Sequence, residues 1–330
     1  MAPSFVDSKS LKMLNQVRFS KHQQAPSLNA YFHFQRKQSD TPEPHLQQAW
    51  FRSMKLVLDE IDTALRCVPI HSQLSFLDVG CCPGGFSSYI LSKNPNAYGV
   101  GLSLPESSGG HSFLLEEDLQ PRLDLHLADV TTYQLGPYHH PNLRSLPPSL
   151  MIFTFDLVLL DGHPLRIAEP DGLAPLNNVS DRLLISQLII GLQSVSPFGT
   201  IVIKLSKPER PLTAKILYIL DSISCELLTW KPVCMHATRP TFYAVAKGIR
   251  YTPRHAMIVH ALRDLWVRLT FGGLHGTTLP RRMTHQDLNS IVSPEEMVVY
   301  KPRLVQLSQH LWDVQRQSLE GWYKEEGLVT

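Results

Sequence analysis

The chain has 330 residues, of which 43% are hydrophobic and 18% charged, with a formal net charge of +2. That length holds one large domain with extensions or two modest ones, and that apolar share excludes a disordered or fibrous polypeptide. No apolar run approaches the roughly 18 residues of a membrane span, and the first residues lack the apolar core of a secretory signal. An intracellular protein, cytoplasmic or nuclear, with no membrane contact is therefore expected. The cysteines are Cys67, Cys81, Cys82, Cys225 and Cys234. An odd number without paired spacing argues against a disulfide framework, and no Cys-x-x-Cys or His/Cys cluster suggests a metal.

Residues 1–45 are rich in Ser, Gln, His and Lys and close on Pro42 and Pro44, which reads as a tail or loosely docked arm. Over 47–66, Phe51, Met54, Leu58, Ile61 and Leu65 recur at steps of three and four and predict an amphipathic helix. A short apolar run at 75–79 predicts a buried strand that enters a glycine-rich turn, and 85–92 then opens a helix. Further strands are expected at 97–102, 123–128 and 155–160. Pro121, Pro137, Pro141, Pro147 and Pro148 exclude long helices around the second of these. A helix at 181–195, a strand at 199–205, a helix at 213–222 and a pair of strands at 227–230 and 242–247 follow. Beyond Tyr251 the chain turns to helical patterns at 255–269 and 294–319.

Strands alternating with helices, with central strands apolar on both faces, mean a parallel sheet covered on each side. Ligands of such sheets lie beyond the carboxyl ends of the strands. Gly80–Gly85, Ser103, Asp129, Asp161 and Lys204 all fall at or near such ends. The chain thus divides into a basic polar tail (1–45), an α/β body (46–250) and a helical extension (251–330). Two segments are basic: 1–45 has six Lys/Arg against three Asp/Glu, and 250–285 has six Arg against Asp264. Such segments attract phosphate backbones or are simply solvated faces.

The turn Gly80-Cys81-Cys82-Pro83-Gly84-Gly85 joins a strand to a helix. Its glycines permit positive φ and close approach of a ligand, and the helix start offers free N–H groups to a carboxylate. Its spacing is not Gly-x-Gly-x-x-Gly, so a dinucleotide fingerprint fits poorly. Instead, the run LSFLDVGCCPGGFSSYIL resembles the first motif of the FtsJ-like (RrmJ-type) RNA ribose 2′-O-methyltransferase family, and the similarity spans roughly residues 50–248. The resemblance implies a Rossmann-like S-adenosylmethionine-dependent methyltransferase fold, a mostly parallel seven-stranded sheet with helices on both faces. It implies S-adenosylmethionine as cofactor, an RNA substrate, and a cofactor site made from Asp78, Gly80, Cys82, Pro83, Gly84, Gly85, Phe86, Ser103, Asp129 and Asp161. Asp129 would receive the adenine amino group. The family often has an acidic residue for the ribose where this chain has Leu102 or Ser103, with Glu106 a few residues late.

The family's catalytic tetrad is Lys-Asp-Lys-Glu. By resemblance Lys55, Asp161 and Lys204 occupy its first three positions, while Thr241 stands where the glutamate is expected. Lys204 draws notice on physical grounds alone, because a lysine among Ile201, Val202, Ile203 and Leu205 is costly to bury unless paired. Lys55 also has an ordinary reading, as an i,i+4 surface pair with Asp59. Threonine hydrogen-bonds but brings no charge. Two readings follow: an active RNA 2′-O-methyltransferase, or a catalytically impaired module of the same fold that binds RNA or protein. A third, transfer to an amino group, lacks its usual motif, since Gly162-His163-Pro164-Leu165 follows Asp161. Lys207, Arg210 and the segment 250–285 are candidate RNA-backbone contacts.

Overall fold

The computed structural model describes residues 8–22, 43–152, 154–164, 176–272 and 280–325. The chain opens with α1 (Lys9–His22) and α2 (Pro44–Leu65), then β1 (Leu74–Val79), α3 (Gly85–Lys93), β2 (Ala97–Ser103) and β3 (Leu123–Leu127). It continues through α4 (Pro148–Ile152), β4 (Phe155–Leu160), α5 (Leu176–Ser194), β5 (Val195–Ser206) and α6 (Pro211–Ile223). β6 (Glu226–Trp230), α7 (Val233–His236), β7 (Thr241–Lys247), α8 (Pro253–Phe271), α9 (His285–Asn289) and α10 (Pro294–Glu325) complete it.

The seven strands form one sheet in the order β3-β2-β1-β4-β5-β7-β6. Every pairing from β3 to β5 is parallel, and β7 runs antiparallel to both β5 and β6. The chain leaves β1 toward one edge and returns to β4 on its other side, so the order reverses between β1 and β4. A crevice opens at the strand ends at such a reversal.

Alternation along the strands builds two apolar layers, because successive side chains point to opposite faces. On one face Phe76, Leu157, Leu159 and Val202 pack with Val57, Leu58 and Ile61 of α2 and with Phe86 and Ile90 of α3. On the other, Leu77, Val158, Ile201 and Ile203 pack with Ile185 and Leu188 of α5 and Leu217 of α6. Asp62 closes α2: its Oδ1 accepts from the Cys67 and Val68 N–H groups, both at 2.8 Å.

The helical extension adds to this second layer. Leu262, Leu265 and Trp266 of α8 and Leu304, Leu311 and Trp312 of α10 all lie in the same core, and the Trp266 indole donates to Ser186 Oγ at 3.0 Å. The N-terminal stretch differs from the expected loose arm where it is described. Lys9–His22 is helical, Leu11 and Leu14 are buried in that core, and Arg18 bonds Glu209 at 3.0 Å and Gln315 at 2.8 Å. Residues 23–42 of the predicted arm lie outside the described residues. Among the described residues no helix is long and apolar enough to cross a membrane.

Candidate active site

A cavity of about 310 Å³ opens beyond the carboxyl ends of β1, β4 and β5. One wall is the turn after β1. Gly80 lies at φ 87° and Gly84 at φ 115°, backbone that L side chains rarely adopt. A Cβ on Gly80 would also sit 2.5 Å from the Gly162 backbone, so the turn after β1 and the turn after β4 touch directly. This glycine is required by the packing of two chain segments rather than by a ligand. Gly84 ends the turn at the N-cap of α3 and faces Leu115, not the cavity. Gly80, Cys82, Pro83, Gly85 and Phe86 line the cavity as the motif suggests.

Asp78 also lines it, at the end of β1, and is 0% exposed. Its Oδ2 accepts from Ser87 Oγ at 2.8 Å, while its Oδ1 has no hydrogen-bond partner. Burial, with the Asp161 carboxylate nearby, pushes the Asp78 carboxyl up to about 7. A buried carboxylate oxygen without a partner awaits a donor or a cation.

Next to this turn, at the ends of β4 and β5, lies the predicted catalytic pair. The Lys204 ammonium donates to Asp161 Oδ2 at 2.9 Å and also to the Asp161 carbonyl. Tyr243 OH donates to the other carboxylate oxygen, Oδ1, at 2.7 Å. Lys204 stands opposite Tyr243 in the β5–β7 register, and Ser206 opposite Thr241. Side chains directly opposite share a face, which brings Lys204, Tyr243 and Thr241 to one side of the sheet. Burial and Asp161 hold the Tyr243 phenol well above its ordinary value, so it stays a donor.

Thr241 lines the cavity beside His236 and Arg239. Its carbonyl accepts from Lys231 Nζ at 2.7 Å. Burial and the nearby Arg18 push that buried lysine down to about 7. Also in the lining, Trp50 and His111 have ring centroids 5.0 Å apart, and His111 and His163 6.3 Å.

Four predicted residues lie away from the cavity walls. Lys55 points to Glu116, at 3.1 Å, rather than to Asp161 or to its expected surface partner Asp59. Ser103 is buried at the end of β2, where it adds to the effect of Cys81 in lowering the Cys82 thiol. Asp129 caps a short turn, accepting at Oδ1 from the Thr131 N–H at 2.8 Å. Gly84 is the fourth.

The arginines after residue 250 mostly serve the fold. Arg254 pairs with Glu296 at 2.6 Å, Arg268 and Arg281 with Asp287 at 3.3 and 2.6 Å, and Arg263 donates to two backbone carbonyls. Lys207 is half-buried and Arg210 exposed.

Sequence reasoning missed Tyr243, His236, Arg239, Trp50, His111 and His163. For Tyr243 a signal existed, since it lies two residues from Thr241 on the same strand face. Trp50 and His111 meet only through tertiary packing.

The donor set fits the sulfonium cofactor that the motif implies. Asp78 offers an unpartnered carboxylate oxygen to a cationic group, and the start of α3 lies on the same wall to receive a carboxylate. Among the described residues no group of three or more His, Cys, Asp and Glu could hold a metal ion.

The family model for FtsJ-like methyltransferases matches residues 54–248. A cap-specific mRNA (nucleoside-2′-O-)-methyltransferase 1 of Danio rerio is 27% identical over 186 residues, covering 54% of this chain and 22% of that protein. Its counterpart in Bos taurus is 26% identical over the same span. The chain therefore spans about a fifth of the length of these relatives. Among solved structures, a Plasmodium falciparum protein assigned as a ribosomal RNA methyltransferase is 19% identical, with TM-score 0.40, over 59% of this chain and 96% of that one. A TehB-like methyltransferase from Corynebacterium glutamicum is 14% identical, with TM-score 0.34, over 67% and 97% of the two chains.

Proposed function

Because the chain belongs to the FtsJ-like methyltransferase family, we propose that it transfers a methyl group from S-adenosylmethionine to a ribose 2′-hydroxyl of RNA. The similarity to cap-specific mRNA methyltransferases makes capped messenger RNA the first substrate class to try. The observation that carries this reading is the Lys204–Asp161 pair beside the glycine turn, within one cavity.

When bound, the cofactor supplies an electrophilic methyl carbon; transfer joins that carbon to the hydroxyl oxygen and leaves a neutral thioether and one proton. The residues here supply placement and charge. Asp161 is held on both oxygens, by Lys204 and by Tyr243, so it fixes the Lys204 ammonium in one position. A fixed cation in a partly buried site stabilises the negative charge that grows on the hydroxyl oxygen, at no reorganisation cost during the reaction. Asp78 and the turn Gly80–Gly85 would hold the cofactor in the same cavity, so the two reactants would be brought together there.

Tritiated-methyl transfer to capped and uncapped RNA tests this reading. We expect transfer to the ribose that falls by at least about 100-fold in Lys204→Ala, with cofactor affinity unchanged. Cofactor binding without transfer to any RNA would instead support a binding module that has lost its chemistry. That outcome would trace to Thr241, which places no carboxylate in the wall.

A further inference from the structure

His236 ends the short helix α7 between β6 and β7 and lines the cavity beside Thr241. It is 6% exposed, and neither Nδ1 nor Nε2 has a hydrogen-bond partner. Buried polar atoms are almost always paired, so an imidazole with both nitrogens idle in a cavity wall is costly. The fold holds it firmly: the His236 N–H donates to the Pro232 carbonyl at 3.1 Å, and its ring lies 6.2 Å from that of Tyr243. Such a group makes sense when a ligand completes it.

We propose that His236 is a substrate-binding residue whose imidazole accepts a hydrogen bond from the ribose 2′-hydroxyl. The inference rests on the ribose-methylating reading above and deepens it by assigning the group that recognises the hydroxyl. The site has Lys204 as a donor, but Thr241 leaves the wall without the carboxylate acceptor that the family pattern places there. An unprotonated imidazole nitrogen supplies an acceptor on the same wall. The surroundings keep it unprotonated. Burial, then Lys204 on β5, Arg239 and Lys231 together, push His236 down to about 3. One nitrogen therefore remains an acceptor throughout the neutral range. Deoxyribose has no 2′-hydroxyl to offer it, so the contact also distinguishes RNA from DNA.

Two variants test this. His236→Phe keeps the ring volume and removes both nitrogens, and His236→Asn restores an acceptor. The probes are tritiated-methyl transfer to capped RNA and the binding of a short RNA oligonucleotide beside its 2′-deoxy counterpart. In His236→Phe, kcat/KM is expected to fall about 10- to 100-fold, with cofactor affinity unchanged and the preference for RNA over the deoxy oligonucleotide lost. His236→Asn recovers part of both. The melting temperature of His236→Phe stays level or rises, because an unpaired buried imidazole is gone; a merely structural histidine would lower it. If wild type and His236→Phe behave alike in transfer and in oligonucleotide preference, the inference is overturned while the methyltransferase reading stands. If the wild type transfers no methyl to RNA, that reading fails on its own, and the oligonucleotide preference still decides His236.

Discussion

Asp78 shows how one buried residue couples the site to pH. Its carboxyl is raised from 3.8 to about 7 by burial, so below about pH 7 the folded protein favours the protonated form. The stability contribution of such a group is complete below its ordinary value and is lost as pH rises through about 7. We expect Asp78→Asn, which cannot ionise, to gain stability over the wild type, the gap widening from pH 5 to about 7 and levelling off above it. Urea denaturation of both proteins across that range checks this; a gap that stays constant would mean that Asp78 is ionised in the fold throughout. The motif makes Asp78 legible in the sequence and the apolar strand around it makes Lys204 so, because a strand-end acid before a glycine turn and a lysine in an apolar strand are both local patterns. Lys55 is a different case. Its helix was predicted well, but its partner, Glu116, is 61 residues away and invisible to local spacing.

At the scale of elements, glycines in the turn and in the last helix should respond in opposite ways. Gly80→Ala meets the Gly162 backbone at 2.5 Å from a positive φ, and we expect it to lose about 2 kcal/mol or more. Gly321 lies inside α10 with nothing within 4 Å of an added Cβ. Gly321→Ala should gain about 0.5–1 kcal/mol through helix propensity. Chemical denaturation of the two variants gives both numbers, and equal effects would show that the turn is not constrained as described. Strand positions were readable because buried parallel strands are continuous apolar runs of Val, Ile and Leu. The expected strand at 199–205 is longer in the fold, as β5 spans Val195–Ser206. Pro197 and Gly199 sit inside it and conceal its start from propensity.

For the whole molecule, the helical extension is part of the core rather than an appendage. α10 receives Thr229 Oγ1 on the Leu307 carbonyl at 2.6 Å, Arg303 reaches Asp221 at 3.2 Å, and Lys215 donates to the Leu288 carbonyl at 2.9 Å. Truncation before His285 would strip Trp312, Leu304 and Leu311 from the core and leave the Lys215 ammonium buried without partners. We expect the shortened chain to lose its cooperative unfolding transition, which calorimetry reads directly; a retained transition would make the region a separable unit. The sequence by itself determined the order of the seven strands and the main helices between them and the glycine-rich turn, because periodicity and a short motif are local properties of the chain; the Asp161–Lys204 pair, 43 residues apart, was implied only by the family resemblance. Only the tertiary structure decided that Tyr243 holds Asp161, that Lys55 pairs with Glu116, that several of the basic arginines are used in ion pairs and backbone contacts, and that His236 stands idle beside Thr241. Those facts depend on which distant segments meet and on which polar atoms remain unpaired after they do, and no local pattern encodes that.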